Sequence, residues 1–434
     1  MEKVMELEKI VAIEKVVEIE TGAKTSSKLW NRDFTLLIGG KVVSIFGNTI
    51  LSFVLPLYIL YISGSAALFG MILGLTSVPM LIMAPIGGLI ADRFRKQRIM
   101  FWLDTTTTML IVAYIAASGF VASVLPIVII KLMSLNAIQG LYMPAVEASL
   151  PLLVPKEKLM SANGLVSFSN TFSGMAGAAI AGILFARFGL MPVLIVSTVC
   201  FAITAGVDLL IRIPYKKQES KGNILETTKS DMLQSAKFML KEKPIIAKCA
   251  WVSFMISGTL ASMIMVGVPV LITQHLGMGM DYVGISQSVM LAGGVVGGIL
   301  SGTVGSKLKI MKINKTYLLL IASAFAIVPI GLVFTFNIPA FAAYVIITVT
   351  CAMVLISNMI VGIRIVTIIQ GETPVELLGK VMSLIVVLPL LAIAFGNLAY
   401  GMFFEWFAPW VVVFATAFVS VVIGVYARKN FSEK

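Results

Sequence analysis

Lys41, Asp104, Lys131 and Glu147 are ionisable side chains set inside long apolar runs, and they are the residues here with chemistry to do. A charge kept out of water is costly, so one that persists there is a candidate for carrying a proton, an ion or a polar solute. Lys41 and Asp104 stand about two helical turns from the basic ends of their runs. Lys131 lies towards the far end of its run, where a lysine can also snorkel outwards, and Glu147 lies near the basic end of the same run. Asn48, Asn136 and Gln139 add uncharged amides to these runs. Covalent chemistry has no such support. Cys200, Cys249 and Cys351 all sit in apolar runs, which argues against a disulfide framework or a metal site, and His275 closes a helix at the opposite face. A phosphate-cradling Gly-Lys-Ser/Thr loop is absent, so ATP is not the energy source. The chain is read as a non-enzyme without metal or cofactor.

The elements that must hold these residues are membrane helices. Of 434 residues, 59% are hydrophobic and 12% charged, and the mean hydropathy is +1.00. That much apolar surface requires lipid as solvent. From Phe34 the sequence predicts about twelve spans, near 34–62, 66–91, 98–119, 123–149, 163–187, 190–212, 246–274, 282–304, 314–336, 339–363, 375–402 and 406–427. The +12 net charge would suit nucleic acid, but the cations sit between apolar runs, so they read as orientation signals. Lys156, Lys158, Lys216, Lys217, Lys307, Lys309, Lys312 and Lys315 all fall in even-to-odd loops, and Arg187 alone breaks the pattern on the other side. Both termini are therefore expected to be cytoplasmic, in a multi-pass protein of the cell membrane.

The expected organisation is a cytoplasmic tail (1–30), a six-helix bundle (31–213), a polar linker (214–245) and a second six-helix bundle (246–434). The tail repeats Glu2-Lys3-Val4, Glu8-Lys9-Ile10 and Glu14-Lys15-Val16 at a period that matches neither helix nor strand. It reads as an appendage with no part in the membrane bundle's work, or else as a surface helix docking on the basic loops. Within the linker, Ser230 to Leu240 could form an amphipathic surface helix. Pro155-Lys156-Glu157-Lys158-Leu159 before the fifth span and Pro374-Val375-Glu376-Leu377-Leu378 before the eleventh suggest a repeated unit. Thr373-Pro374-Val375-Glu376 reads as a capping box opening the eleventh span. Glycine pairs Gly293/Gly297, Gly294/Gly298 and Gly298/Gly302 predict close packing of the eighth.

One loop is more specific. Gly88, Asp92, Arg93, Lys96 and Arg98 follow the order Gly, three residues, Asp-Arg and then further cations, between the second and third spans. That order resembles the signature loop of the major facilitator superfamily, with Arg95 where the family usually has glycine. Tyr142 to Leu159 with Ala162-Asn163, Asn31-Arg32-Asp33-Phe34, and Leu378-Gly379-Lys380-Val381-Met382-Ser383 resemble its macrolide-efflux and siderophore-exporter branch. Gly174, Gly177 and Gly182 resemble a degenerate exporter motif, with Ala178 where proline would stand.

The resemblance implies an all-α fold of two six-helix pseudo-repeats and a secondary efflux transporter for a small amphipathic, drug-like molecule. It would work by alternating access, be driven by protons and act as a monomer in the bilayer. An exporter of an endogenous amphiphile and a non-transporting sensor on the same fold are the alternatives. Asp92 would latch on the start of the eleventh span, beside Thr373 and Glu376; the alternative is a simple loop cap with Arg93 and Arg95. Lys41 and Glu147 become cavity residues because the first and fourth helices line the cavity in this family, and Glu147 is the expected proton carrier. Asp104 is expected to be held by the basic loop at 93–98. Asp208, Asp281, Glu372 and Glu405 are expected to stay wet at span ends. Pro144 is expected to bend the fourth span and turn Glu147 inwards. Asn136 stands where proton-coupled antiporters carry an arginine.

Overall fold

The computed structural model describes residues 30–118, 124–155, 158–214, 237–308, 316–336 and 338–431. The tail at 1–29, most of the linker, and Lys156, Glu157, Lys309, Lys312 and Lys315 lie outside them, as do the side chains of Asp92, Gly302 and Glu376. Among the described residues twelve helices are long and apolar enough to cross a membrane. They are α1 (Arg32–Ser63), α2 (Ala66–Arg93), α3 (Lys96–Ser118), α4 (Val124–Glu147), α5 (Leu159–Phe188) and α6 (Leu190–Leu210). The second set is α7 (Pro244–His275), α8 (Met280–Leu308), α9 (Thr316–Thr335), α10 (Ala340–Glu372), α11 (Val375–Trp406) and α12 (Pro409–Phe431).

Local chemistry sets the helix ends. The Asn31 Oδ1 accepts from the Phe34 amide at 2.8 Å to open α1, and its Nδ2 donates to the Leu153 carbonyl at 2.7 Å. Ser65 caps α2 through the Leu68 amide. Between α1 and α2, Gly64 turns the chain with φ +64°, a left-handed backbone that costs glycine little. We call this the Gly64 end of the bundle and the opposite one, at Arg93–Arg98, the basic end. Thr373 does not open α11. Its hydroxyl donates back to the Ile369 carbonyl at 2.6 Å and so closes α10, while Pro374 takes the cap position before α11.

In lipid the large apolar side chains need not be buried, and Trp102, Phe168, Phe325, Phe395 and Phe418 are all exposed. What is buried is the packing seam. Within one half α2 packs on α4, α3 on α6, and α1 on both α5 and α6; in the other α8 packs on α10 and α9 on α12. The glycines of α8 divide between two faces. A Cβ on Gly293 or Gly297 would lie 2.7 Å from the α10 carbonyl oxygens of Ala352 or Ile356, whereas Gly294 and Gly298 face open space. Close packing holds for the first pair alone.

Two helices are irregular. α7 is wound with i→i+5 bonds over Ser257–Ala261, Met263–Gly267 and Leu271–His275, a geometry frequent at functional sites. α4 ends at Glu147, three residues after Pro144, and the chain resumes as a short turn at Leu150–Leu153. Glu147 is left exposed there.

Candidate functional site

The two halves meet closely at the Gly64 end. α2 crosses α11 at glycines: a Cβ on Gly401 would sit 2.8 Å from the Ala66 carbonyl oxygen, and one on Gly74 would lie 2.5 Å from that of Ala394. Gly70 abuts Gly401 and the Asn397 carbonyl. α5 crosses α8 in the same way, where a Cβ on Gly182 would lie 2.8 Å from the Met280 carbonyl and 3.0 Å from the Gly284 Cα. Small residues allow such approach, and here they join the halves rather than only helices within one half. Side chains seal the seam. The Ser288 hydroxyl donates to the Met175 carbonyl at 2.7 Å, the Gln274 amide to the Gly64 carbonyl at 2.9 Å, and Glu405 accepts from the Ala67 amide and the Ser65 hydroxyl.

A cavity of about 230 Å³ lies behind this seam. Asn48, Thr49, Ser52 and Phe53 of α1 line it, with Phe69 and Leu73 of α2, Gly174 and Ala178 of α5, Met265 and Pro269 of α7, and Gln287 and Leu291 of α8. Both halves contribute, and the π-wound stretch of α7 supplies Met265. Among the described residues its walls hold no carboxylate or cation. They offer amide and hydroxyl hydrogen bonds set in apolar, aromatic and thioether surface, the composition of a small-molecule site.

Of the expected cavity residues, Asn48 alone lines this space. Lys41 is 2% exposed, and Glu147 is the opposite charge whose field reaches it, though the two form no ion pair. Lys131 does not snorkel. It is 4% exposed, with its Nζ 4.2 Å from the centre of the Tyr114 ring and no hydrogen-bond partner. Asn136 turns its amide back on the Leu132 carbonyl of its own helix. Gln139 is half-buried on α4. Asp104 is not held by the basic loop. It is 2% exposed, its Oδ2 has no hydrogen-bond partner, and it lies near Ser44 and near Asp208 of α6, on which α3 packs. Asp208, expected to be wet, is itself 2% exposed.

At the basic end, Gly88 faces open space while Gly87 packs against the Gly140 carbonyl of α4. Arg93 and Arg98 are exposed and Lys96 is half-buried. Glu372 of α10 pairs with Lys243 at 2.7 Å across their half-exposed side chains.

A family model for the Major Facilitator Superfamily matches residues 37–397. The chain belongs to that superfamily. Members of the superfamily are transporters rather than enzymes, and this chain is a multi-pass membrane protein. Macrolide efflux protein A of Streptococcus pyogenes is 24% identical over 392 residues, covering 86% of this chain and 90% of that protein. Its Enterococcus faecalis namesake is 24% identical over 339 residues, 74% of this chain and 96% of the relative. Among solved structures, the nucleoside transporter NupG superposes with TM-score 0.71 at 12% identity, covering 93% of this chain and all of that one. A bacterial homologue of the lysosomal transporter Spinster, described as inward-facing and unoccupied, superposes with TM-score 0.67 at 15% identity over 92% and 97% of the two chains. These likenesses show the fold.

One charged residue of this facilitator escaped the sequence reading, which expects two others to be wet. Arg364 is the one cation inside the α10 run, a signal that was available. Asp208 and Glu405 sit two or fewer residues from helix ends, where sequence offers no way to tell a wet carboxylate from a buried or bridging one.

Proposed function

We propose that this facilitator exports a small amphipathic, macrolide-like molecule across the cytoplasmic membrane by alternating access, as a proton-driven antiporter and a monomer. The observation that carries the reading is the uncharged cavity between the halves, sealed at the Gly64 end and flanked by open faces at the basic end. With the cations of the 93–98 loop in the cytoplasm, this is an inward-facing state. Pairing of α2 with α4 and α3 with α6, echoed by α8 with α10 and α9 with α12, supports two six-helix repeats at 31–213 and 246–434 joined by the 214–245 linker. Such repeats rock about a midplane site. A cavity without fixed charge favours recognition by shape, apolar contact and amide hydrogen bonds over capture of an anionic siderophore or lipid headgroup.

The outward-facing state would part the α2–α11 and α5–α8 seams and close the basic end, where Asp92 would meet the N-terminus of α11. Glu147, exposed in this state and an opposite charge acting on Lys41, is the proposed proton carrier, with Lys41 as its switchable partner. The test is macrolide uptake into inverted proteoliposomes under an imposed pH gradient, wild type against Glu147→Gln. Gradient-dependent transport by the wild type alone supports both assignments. No flux in the wild type refutes transport of this substrate, and full gradient response in the variant removes Glu147.

A further inference from the structure

Two buried carboxyl groups remain once cavity, seam and gate are assigned. Asp104 of α3 and Asp208 of α6 are each 2% exposed, and their helices pack together. Asp208 is the charged neighbour of Asp104. In both, Oδ2 is buried without a hydrogen-bond partner. Hydroxyls from two further helices surround them. Ser44 of α1 lies near Asp104, and Tyr142 of α4 lies near both acids and Ser44.

Other charged groups do not neutralise the pair. On α1, Lys41 forms no ion pair among the described residues, the carboxylate acting on it at a distance being Glu147 of α4, and Asp33 accepts from the Arg212 amide. On α3, Lys96 and Arg98 lie at the basic end, with Arg98 exposed. On α4, Lys131 sits over Tyr114. Among the described residues neither acid has an ion pair. Two carboxylates facing each other out of water repel and are poorly solvated, so a positive charge must accompany them. The donors are all oxygen, which suits a proton or a hard cation and not a soft metal.

We propose that Asp104 and Asp208, with Ser44 and Tyr142, bind one small monovalent cation, a proton or Na⁺, inside the first six-helix half. Its part in coupling rests on the transporter reading; the binding itself does not. Ser44 lies one turn before Asn48 on α1, so one helix carries both the cation site and a wall of the substrate cavity. Occupancy of the pair then biases the position of α1, and through it the cavity.

Infrared difference spectroscopy on the reconstituted full chain tests this, with pH steps in the absence of Na⁺ and Na⁺ steps at fixed pH against a K⁺ control. A proton site gives a titrating carboxylic-acid carbonyl band that is lost in both Asp104→Asn and Asp208→Asn. A Na⁺ site gives a saturable, Na⁺-specific carboxylate change that both variants lose. Should an Asn variant fail to fold, Asp104→Glu keeps the charge and must shift the signal. A wild type with neither response overturns the site, as does a response that survives in both Asn variants. Macrolide flux measured in the same vesicles separates this result from the transport reading: a cation response without flux leaves the site standing and rejects the substrate.

Discussion

The carboxylate of Glu405 accepts a hydrogen bond from the backbone amide of Ala67 at 3.1 Å, although the two residues belong to opposite halves of the chain. The Ser65 hydroxyl donates to the same oxygen at 3.2 Å. A carboxylate from the end of α11 thus sits on the N-terminus of α2, where free N–H groups and the helix dipole favour negative charge. Because the contact joins the halves at the Gly64 end, it belongs to the state in which that end is closed.

Glu405→Gln keeps an acceptor and removes the charge, so it weakens this contact without altering the packing. At an exposed helix start the charge contributes about 0.3–1 kcal/mol, which is roughly a two- to fivefold change in the balance of conformers. Spin labels on the Gly64 ends of α2 and α11 should report a larger separated population. An unchanged distance distribution would show that the carboxylate does not hold the seam.

Gly401→Leu acts on the same seam by volume. Its side chain would enter the space held by the Ala66 carbonyl and Gly70, and overpacking of this kind costs about 1–3 kcal/mol. The variant should fold, stay accessible from the Gly64 end and lose most of its flux. Flux at the wild-type rate would mean that the halves need not approach so closely.

Asn48→Ala and Gln287→Ala each remove one side-chain amide from the cavity wall. A hydrogen bond contributes about 0.5–1.5 kcal/mol net, so substrate affinity should fall about two- to tenfold in each. Equilibrium binding of a labelled macrolide to purified protein is the measurement. Affinity unchanged in both would place the substrate elsewhere.

Asp92→Asn should cripple transport while leaving folded, inward-facing protein. The dipole attraction to the start of α11 amounts to about 0.3–2 kcal/mol, enough to disfavour the outward-facing form. Wild-type flux from the purified variant would make Asp92 an ordinary loop cap.

Twelve spans and the basic turn at Arg93–Arg98 were legible in the sequence, because crossing a bilayer is a local demand on length and hydropathy and the motif is a contiguous string. Single intramembrane charges such as Lys41 and Lys131 could be found for the same reason. Their partners could not. Whether Asp104 turns to the basic loop or to Asp208 depends on how α3 packs on α6, which spacing along either helix leaves open. Thr373 has the sequence of a cap for α11 and the geometry of a closure for α10, since one hydroxyl can serve either neighbour and the backbone path between them decides. Glu405 at a helix end is an ordinary wet carboxylate until α2 is brought beneath it from the other half. Local solvation is written along the chain; which charges face each other, and which glycines bring two halves together, is a property of the packed bundle.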